Sequence, residues 1–165
     1  FLQFLKESIA SFYTKEAVTS EDYGRIINAK RFDTLLSYLQ QGTIVYGGKY
    51  DKENLFIEPT ILDNVNVNST IMTEEIFGPV LTIQTFRTVD EVIQKANNSP
   101  FGLAAGVWTD KGSRIFNLTS KLRAGVIWAN CYNKFDPTSP FGGYKESGFG
   151  REGGLHGLSA YLKLS

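Results

Sequence analysis

Gly125-Val-Ile-Trp-Ala-Asn130-Cys-Tyr-Asn-Lys-Phe135-Asp-Pro-Thr-Ser-Pro140-Phe-Gly-Gly-Tyr-Lys145-Glu-Ser-Gly-Phe-Gly150-Arg-Glu-Gly-Gly154 is the stretch that decides how this chain is read. It opens as an apolar run of buried-strand type and stops abruptly at Asn130. A long segment rich in Gly, Pro and aromatic residues follows, with neither a helical nor a strand period. Long loops that leave the end of a strand usually carry function, because a scaffold holds them while their backbone stays free to shape a site.

Upstream of this stretch, Ala104 to Thr109 reads as a strand and Lys111 to Leu122 as a helix. Thr88-Val-Asp-Glu91 is a capping box, and Val89, Val92, Ile93 and Ala96 share one face of the helix it starts. Val80 to Phe86 reads as another strand. Strand, helix, strand, helix, strand, with near-continuous apolar strands, predicts an α/β fold built on a parallel sheet. Right-handed crossovers would place the strand ends Phe86, Thr109 and Asn130 on one edge, where open α/β sheets bind ligands.

The first half has a different pattern. Leu2, Leu5, Ile9 and Phe12 fall on one helical face. Thr19 to Asp22 is a polar break. Phe32, Leu35, Leu36 and Leu39 give a second helix, with Gly42 as its stop signal. Thr43 to Gly48 reads as a short strand ending in a turn, and Asp51 to Asn54 as a solvated loop. Phe56 to Val65 is strand-like but broken at Pro59, which predicts an edge or bent strand. Ser69 to Ile76 fits a short helix. With no repeat, low-complexity tract or linker, residues 1–165 read as one domain or one piece of a domain.

The bulk numbers exclude several classes of function. The 165 residues are 42% apolar and 21% charged, as in soluble globular proteins. Seventeen basic and 17 acidic side chains cancel, and no basic stripe points to nucleic acid or anionic lipid. No apolar run approaches the length of a membrane span. The single cysteine, Cys131, rules out an internal disulfide and suits a reducing compartment, so a cytoplasmic location is expected. The N-terminus lacks Met and any signal-peptide pattern, and it reads as the middle of a helix. The sequons at Asn68, Asn97 and Asn117 match by chance in such a context.

Few residues carry chemistry by themselves. Cys131 is the lone thiol, and the lone histidine, His156, stands 25 positions away in a helical tail. A cysteine directly after an apolar strand is more often a small buried hydrophobe than a nucleophile. Gly148-Phe-Gly-Arg-Glu-Gly153 spells G-x-G-x-x-G, but no strand precedes it directly, so the glycines read as turn and close-packing positions. Glu74-Glu75 is either a solvated face or a ligand acceptor. The loop aromatics, Tyr132, Phe135, Phe141, Tyr144 and Phe149, are either anchors or pocket walls. No metal-ligand spacing is present.

Six segments in order change the balance: Asp22-Tyr-Gly-Arg-Ile-Ile-Asn28, Phe56-Ile-Glu-Pro-Thr60, Glu74-Glu-Ile-Phe-Gly-Pro79, Ala96 to Ala104, Gly125 to Cys131, and Ser139-Pro-Phe-Gly-Gly-Tyr-Lys-Glu-Ser-Gly148. Together they resemble the C-terminal third of an aldehyde dehydrogenase. The resemblance implies a partial catalytic domain, residues 1–165 of a larger chain. It implies NAD or NADP as cofactor, a small-molecule aldehyde as substrate and a homo-oligomeric parent. In that family a cysteine thiolate attacks the aldehyde, hydride passes to nicotinamide, and water hydrolyses the thioester.

By position, the resemblance assigns Glu75 to the nicotinamide ribose hydroxyls, Phe77 to the nicotinamide end, and Phe135 and Phe141 to the aldehyde tunnel. It also implies that the nucleophilic cysteine, the general-base glutamate and the dinucleotide-binding domain lie upstream of Phe1, and that Cys131 is not the nucleophile. The 165 residues would then hold no catalytic residue and be inactive alone. The alternative is a non-catalytic module of the same fold with a binding or regulatory role.

Overall fold

Asn28 starts the helix that organises the first half of the molecule. Its side chain accepts a hydrogen bond from the Arg31 N–H at 2.9 Å, satisfying one of the backbone donors a helix start leaves without a partner. The computed structural model describes residues 1–14 and 16–163. The chain divides into two units, Phe1–Thr85 and Phe86–Ser165.

In the first unit, α1 (Leu2–Tyr13) has no fully buried residue. A short 3₁₀ turn, Ala17–Thr19, occupies the polar break. Helix α2 (Ala29–Leu39) buries Phe32, Leu35, Tyr38 and Leu39, the spacing expected of a core-facing stripe. Four strands follow: β1 (Thr43–Tyr46), β2 (Tyr50–Asp51), β3 (Phe56–Ile57) and β4 (Thr60–Asp63). A single turn of helix, α3 (Thr70–Thr73), leads to β5 (Val80–Thr82). β1 pairs antiparallel with β4, and β4 pairs parallel with β5. Phe32, Leu35, Tyr38, Leu39, Ile57, Leu62, Val65, Ile71 and Val80 form one core cluster.

The edge or bent strand expected at Phe56–Val65 does break at Pro59, but its second half is not an edge. Pro59 separates two strands with different partners, and β4 is the central strand of three. The ring therefore breaks the run where no ladder bond is required of its nitrogen. Pro59 also explains Gly47, which sits at φ 73° with the Pro59 carbonyl where a Cβ would stand.

In the second unit, α4 (Val89–Asn97) begins at Thr88, whose hydroxyl accepts from the Glu91 N–H at 3.1 Å. The Glu91 carboxylate reaches back to the Arg87 N–H at 2.8 Å. Then come β6 (Phe101–Gly102), β7 (Ala104–Val107), α5 (Gly112–Lys121), β8 (Val126–Ala129), β9 (Tyr144–Lys145) and α6 (Gly154–Leu158). β7 and β8 are parallel neighbours joined through α5, a right-handed βαβ unit in expectation and a parallel pair in fact. β6 pairs antiparallel with β9. The sequon residue Asn97 ties two helix ends together: its Nδ2 donates to Lys121 O at 2.9 Å, and its Oδ1 accepts from Arg123 N at 2.8 Å.

The α/β fold with parallel strand pairs is as expected, but the strand expected at Val80–Phe86 is shorter and ends at Thr82. β5 pairs parallel with β4, whose Thr60, Ile61 and Leu62 are almost wholly buried. Phe86 lies in no strand. The expected sheet edge reduces to Thr109 and Asn130, which lock each other at the strand ends. Asn130 Oδ1 accepts from the Thr109 N–H at 2.9 Å, and Asn130 Nδ2 donates to Thr109 O at 3.0 Å. The late loop does leave from that edge.

Candidate functional site

Two groups of residues singled out in the sequence fall one in each unit. In the first unit, the turn between α3 and β5 carries Glu74-Glu-Ile-Phe-Gly-Pro79. The two adjacent carboxylates differ sharply. Glu74 Oε2 accepts a 2.6 Å hydrogen bond from the Tyr38 hydroxyl, which is 1% exposed. Burial, and then the Glu74 carboxylate, push the Tyr38 phenol above its ordinary range, so it stays a proton donor. Glu75 is exposed, and among the described residues its carboxylate makes no hydrogen bond or ion pair.

Phe77 follows in a left-handed backbone conformation, φ 47°, with 65% of its surface exposed. The Arg31 guanidinium lies over its ring, 5.4 Å from the centroid. Arg31 Nη1 also donates to Ile76 O at 3.4 Å. A cleft of about 390 Å³ runs beside the turn, lined by Tyr23 to Ile27 and by Phe77 to Pro79.

In the second unit, the late loop is built on Trp128, the one buried residue of β8. Its indole Nε1 donates to Lys134 O at 2.8 Å and folds the loop back over the strand end. Phe135 stands edge-on to Trp128 at 5.5 Å, and Phe141 stands edge-on to Phe135 at 5.0 Å. Tyr132 packs on Trp128 at 4.8 Å and stacks toward Trp108. Phe141 is the anchored member, since its backbone exchanges two hydrogen bonds with Glu152, at 2.7 and 2.8 Å. Phe135 remains 57% exposed. Arg151 cinches the glycine-rich end, with Nη1 donating to the carbonyls of Gly143, Phe149 and Gly150.

The remaining motifs have plain structural readings. Gly148 and Gly153 take positive φ angles of 90° and 74°, as turn positions do. Cys131 is half-buried after β8, and among the described residues it has no hydrogen bond to His156, which is exposed in α6. Among the described residues no group of three or more His, Cys, Asp or Glu side chains could hold a metal ion.

Sequence reasoning overlooked Arg31 and Tyr38. The signal was present for Tyr38, a phenol on the apolar stripe of α2, because a buried hydroxyl needs a partner. Arg31 had no such signal.

Mixed α/β architecture with a parallel strand pair in each unit is the class that the fold defines. The chain belongs to the aldehyde dehydrogenase family, which residues 1–165 match throughout. It is 40% identical to aldehyde dehydrogenase 1 of Tanacetum cinerariifolium, over 99% of this chain and 34% of that protein. It is 44% identical to retinal dehydrogenase 2 of Gallus gallus, over 87% of this chain and 29% of that protein. Among solved structures it superposes on the indole-3-acetaldehyde dehydrogenase AldA of P. syringae, in complex with NAD+ and IAA, with a TM-score of 0.81. That match has 42% identity over 88% of this chain and 31% of the other. The chain thus spans about a third of the length of these relatives. Among the described residues no helix is long and apolar enough to cross a membrane.

Proposed function

We propose that these residues are the C-terminal part of the catalytic domain of an NAD(P)-dependent aldehyde dehydrogenase. The enzyme oxidises a small-molecule aldehyde to a carboxylic acid through a cysteine thiohemiacetal and thioester. The observation that carries this reading is the division between two neighbouring carboxylates. Glu74 is engaged by Tyr38, and Glu75 is exposed with its acceptor capacity unused among the described residues. An ionised carboxylate accepts two hydroxyl hydrogen bonds more strongly than a neutral group would, which suits the vicinal hydroxyls of a ribose. NAD or NADP bound there supplies the hydride acceptor. Phe77, rigidly turned outward, presents an aromatic face to the nicotinamide end. Phe135 and Phe141 form an apolar wall that keeps water from the aldehyde carbon.

The nucleophile belongs to another segment of the enzyme. Cys131 is half-buried in a packing position at the end of β8, and among the described residues it makes no hydrogen bond to a base. The purified 165-residue chain, given NAD or NADP and a panel of aldehydes, is expected to form no reduced cofactor. Reduced cofactor appearing in that assay would refute the placement of the nucleophile. In the full-length enzyme, Glu75→Gln is expected to raise KM for the cofactor roughly tenfold or more, the usual effect of weakening charge-assisted hydrogen bonds. An unchanged cofactor KM would remove Glu75 from the site.

A further inference from the structure

We propose that Tyr38 and Arg31 are positioning residues for the Glu74–Pro79 turn, acting on the cofactor only through it. The inference rests on Glu75 being the ribose acceptor. Residues 31, 35 and 38 stand at i, i+4 and i+7 on α2, one face of the helix. Each meets a different part of the turn. The Tyr38 hydroxyl holds Glu74 at 2.6 Å. The Leu35 methyls fill the space where Gly78 has no Cβ. The Arg31 guanidinium covers the Phe77 ring at 5.4 Å and reaches the Ile76 carbonyl at 3.4 Å.

Glu75 lies in the middle of these three anchors and, among the described residues, has none of its own. Its direction is therefore set by residues 74 and 76 to 78. Phe77 needs the support, because a non-glycine residue at positive φ persists only where the surroundings impose it. The geometry also divides the labour between neighbours. A carboxylate tied to a buried phenol is a poor ligand acceptor, so the bond to Tyr38 commits Glu74 to the scaffold and leaves Glu75 for the ligand. Two adjacent carboxylates left loose would compete for the same hydroxyls and repel each other.

Tyr38→Phe keeps the ring in the core and removes only the hydroxyl, so it separates positioning from packing. In the full-length enzyme it is expected to raise KM for NAD(P) roughly five- to tenfold, the scale of one hydrogen bond to a charged group, with kcat and aldehyde KM within about twofold. Glu74→Gln, which keeps an acceptor for the phenol, is expected to fall between wild type and Tyr38→Phe. The double variant should be no worse than Tyr38→Phe alone, as for two ends of one interaction. Arg31→Met, which keeps a long unbranched side chain at this half-buried site and removes the guanidinium, is expected to raise cofactor KM in the same selective way.

Parallel losses in kcat, both KM values and melting temperature would mean a merely structural role and overturn the proposal. So would a Tyr38→Phe enzyme and an Arg31→Met enzyme that both bind cofactor normally while Glu75→Gln does not; the ribose reading would then stand without the clamp. A Glu75→Gln enzyme with normal cofactor KM would overturn both.

Discussion

Tyr23 shows how much a single side chain in this fold is asked to do. Its hydroxyl donates to Ile57 O at 2.6 Å, and its ring sits edge-on to Phe56 and to Tyr13. Burial first, then the neighbouring Tyr13, push its phenol far above the ordinary value of 10.0; Glu58 adds to the rise and Arg25 opposes it. Tyr38 is shifted in the same direction by burial and Glu74, against Arg31. A raised pKa in the folded state means that the native protein holds these protons more tightly than the unfolded chain. The stability they contribute is complete below pH about 10 and is lost as pH rises above it, where only the unfolded chain releases them. Urea melts should therefore show stability falling above pH 10. Tyr23→Phe should cost about 1 kcal/mol at neutral pH, from one hydrogen bond, and flatten the alkaline decline. A variant whose decline parallels wild type would show that Tyr23 does not carry it. Cys131→Ser is expected to leave kcat of the full-length enzyme unchanged within about twofold, because an exchange of similar volume at a strand end touches no reacting atom; a loss of several orders of magnitude would return Cys131 to the chemistry.

Elements hold together here for two separable reasons, caps and core. Thr88→Ala removes the acceptor for the Glu91 N–H and is expected to cost about 1 kcal/mol in urea unfolding. Phe32→Ala is expected to cost about 3 to 5 kcal/mol, since Phe32 is fully buried on α2 and meets Tyr50 edge-on at 6.1 Å. A Phe32→Ala effect no larger than that of the cap would mean the α2 core is already loose. The same two signals decide what was legible in the sequence. The capping box at Thr88, the stripe at Phe32 to Leu39 and the strand of Val126 to Ala129 each appear where periodicity and capping chemistry put them. Strand partnership was not legible. Val80 could pair on either side by its pattern, and only the buried β4 decides the question, through contacts 20 residues back in the chain. The site divides along the same line. Glu75, Phe135 and Phe141 were singled out through the family resemblance, since residue type alone left the acidic pair and the loop aromatics undecided. Arg31 stayed hidden because its role comes from a tertiary contact with Phe77, 46 positions later.

At the scale of the whole molecule, the surface is less well finished than the interior. Phe1, Phe4 and Phe12 of the α1 region are 88%, 73% and 70% exposed, and Phe149, Leu155 and Tyr161 near the other end are 92%, 82% and 88% exposed. Scattered single apolar side chains are ordinary on a protein surface, but this many large apolar side chains at such high exposure favour association. Net charge gives no protection, since 17 basic and 17 acidic side chains cancel. The purified 165-residue chain is therefore expected to self-associate, giving a broad, concentration-dependent distribution in sedimentation velocity at neutral pH. The argument can be tested without disturbing the core, because α1 has no fully buried residue. Phe4→Lys with Phe12→Lys should shift the distribution toward monomer while the urea midpoint moves little, as surface substitutions usually do. The same pair in the full-length enzyme should instead be harmful if the remaining chain packs on α1. A wild-type chain that sediments as one sharp monomer and melts cooperatively would show that these aromatic side chains are tolerated in water, and the association argument would fail.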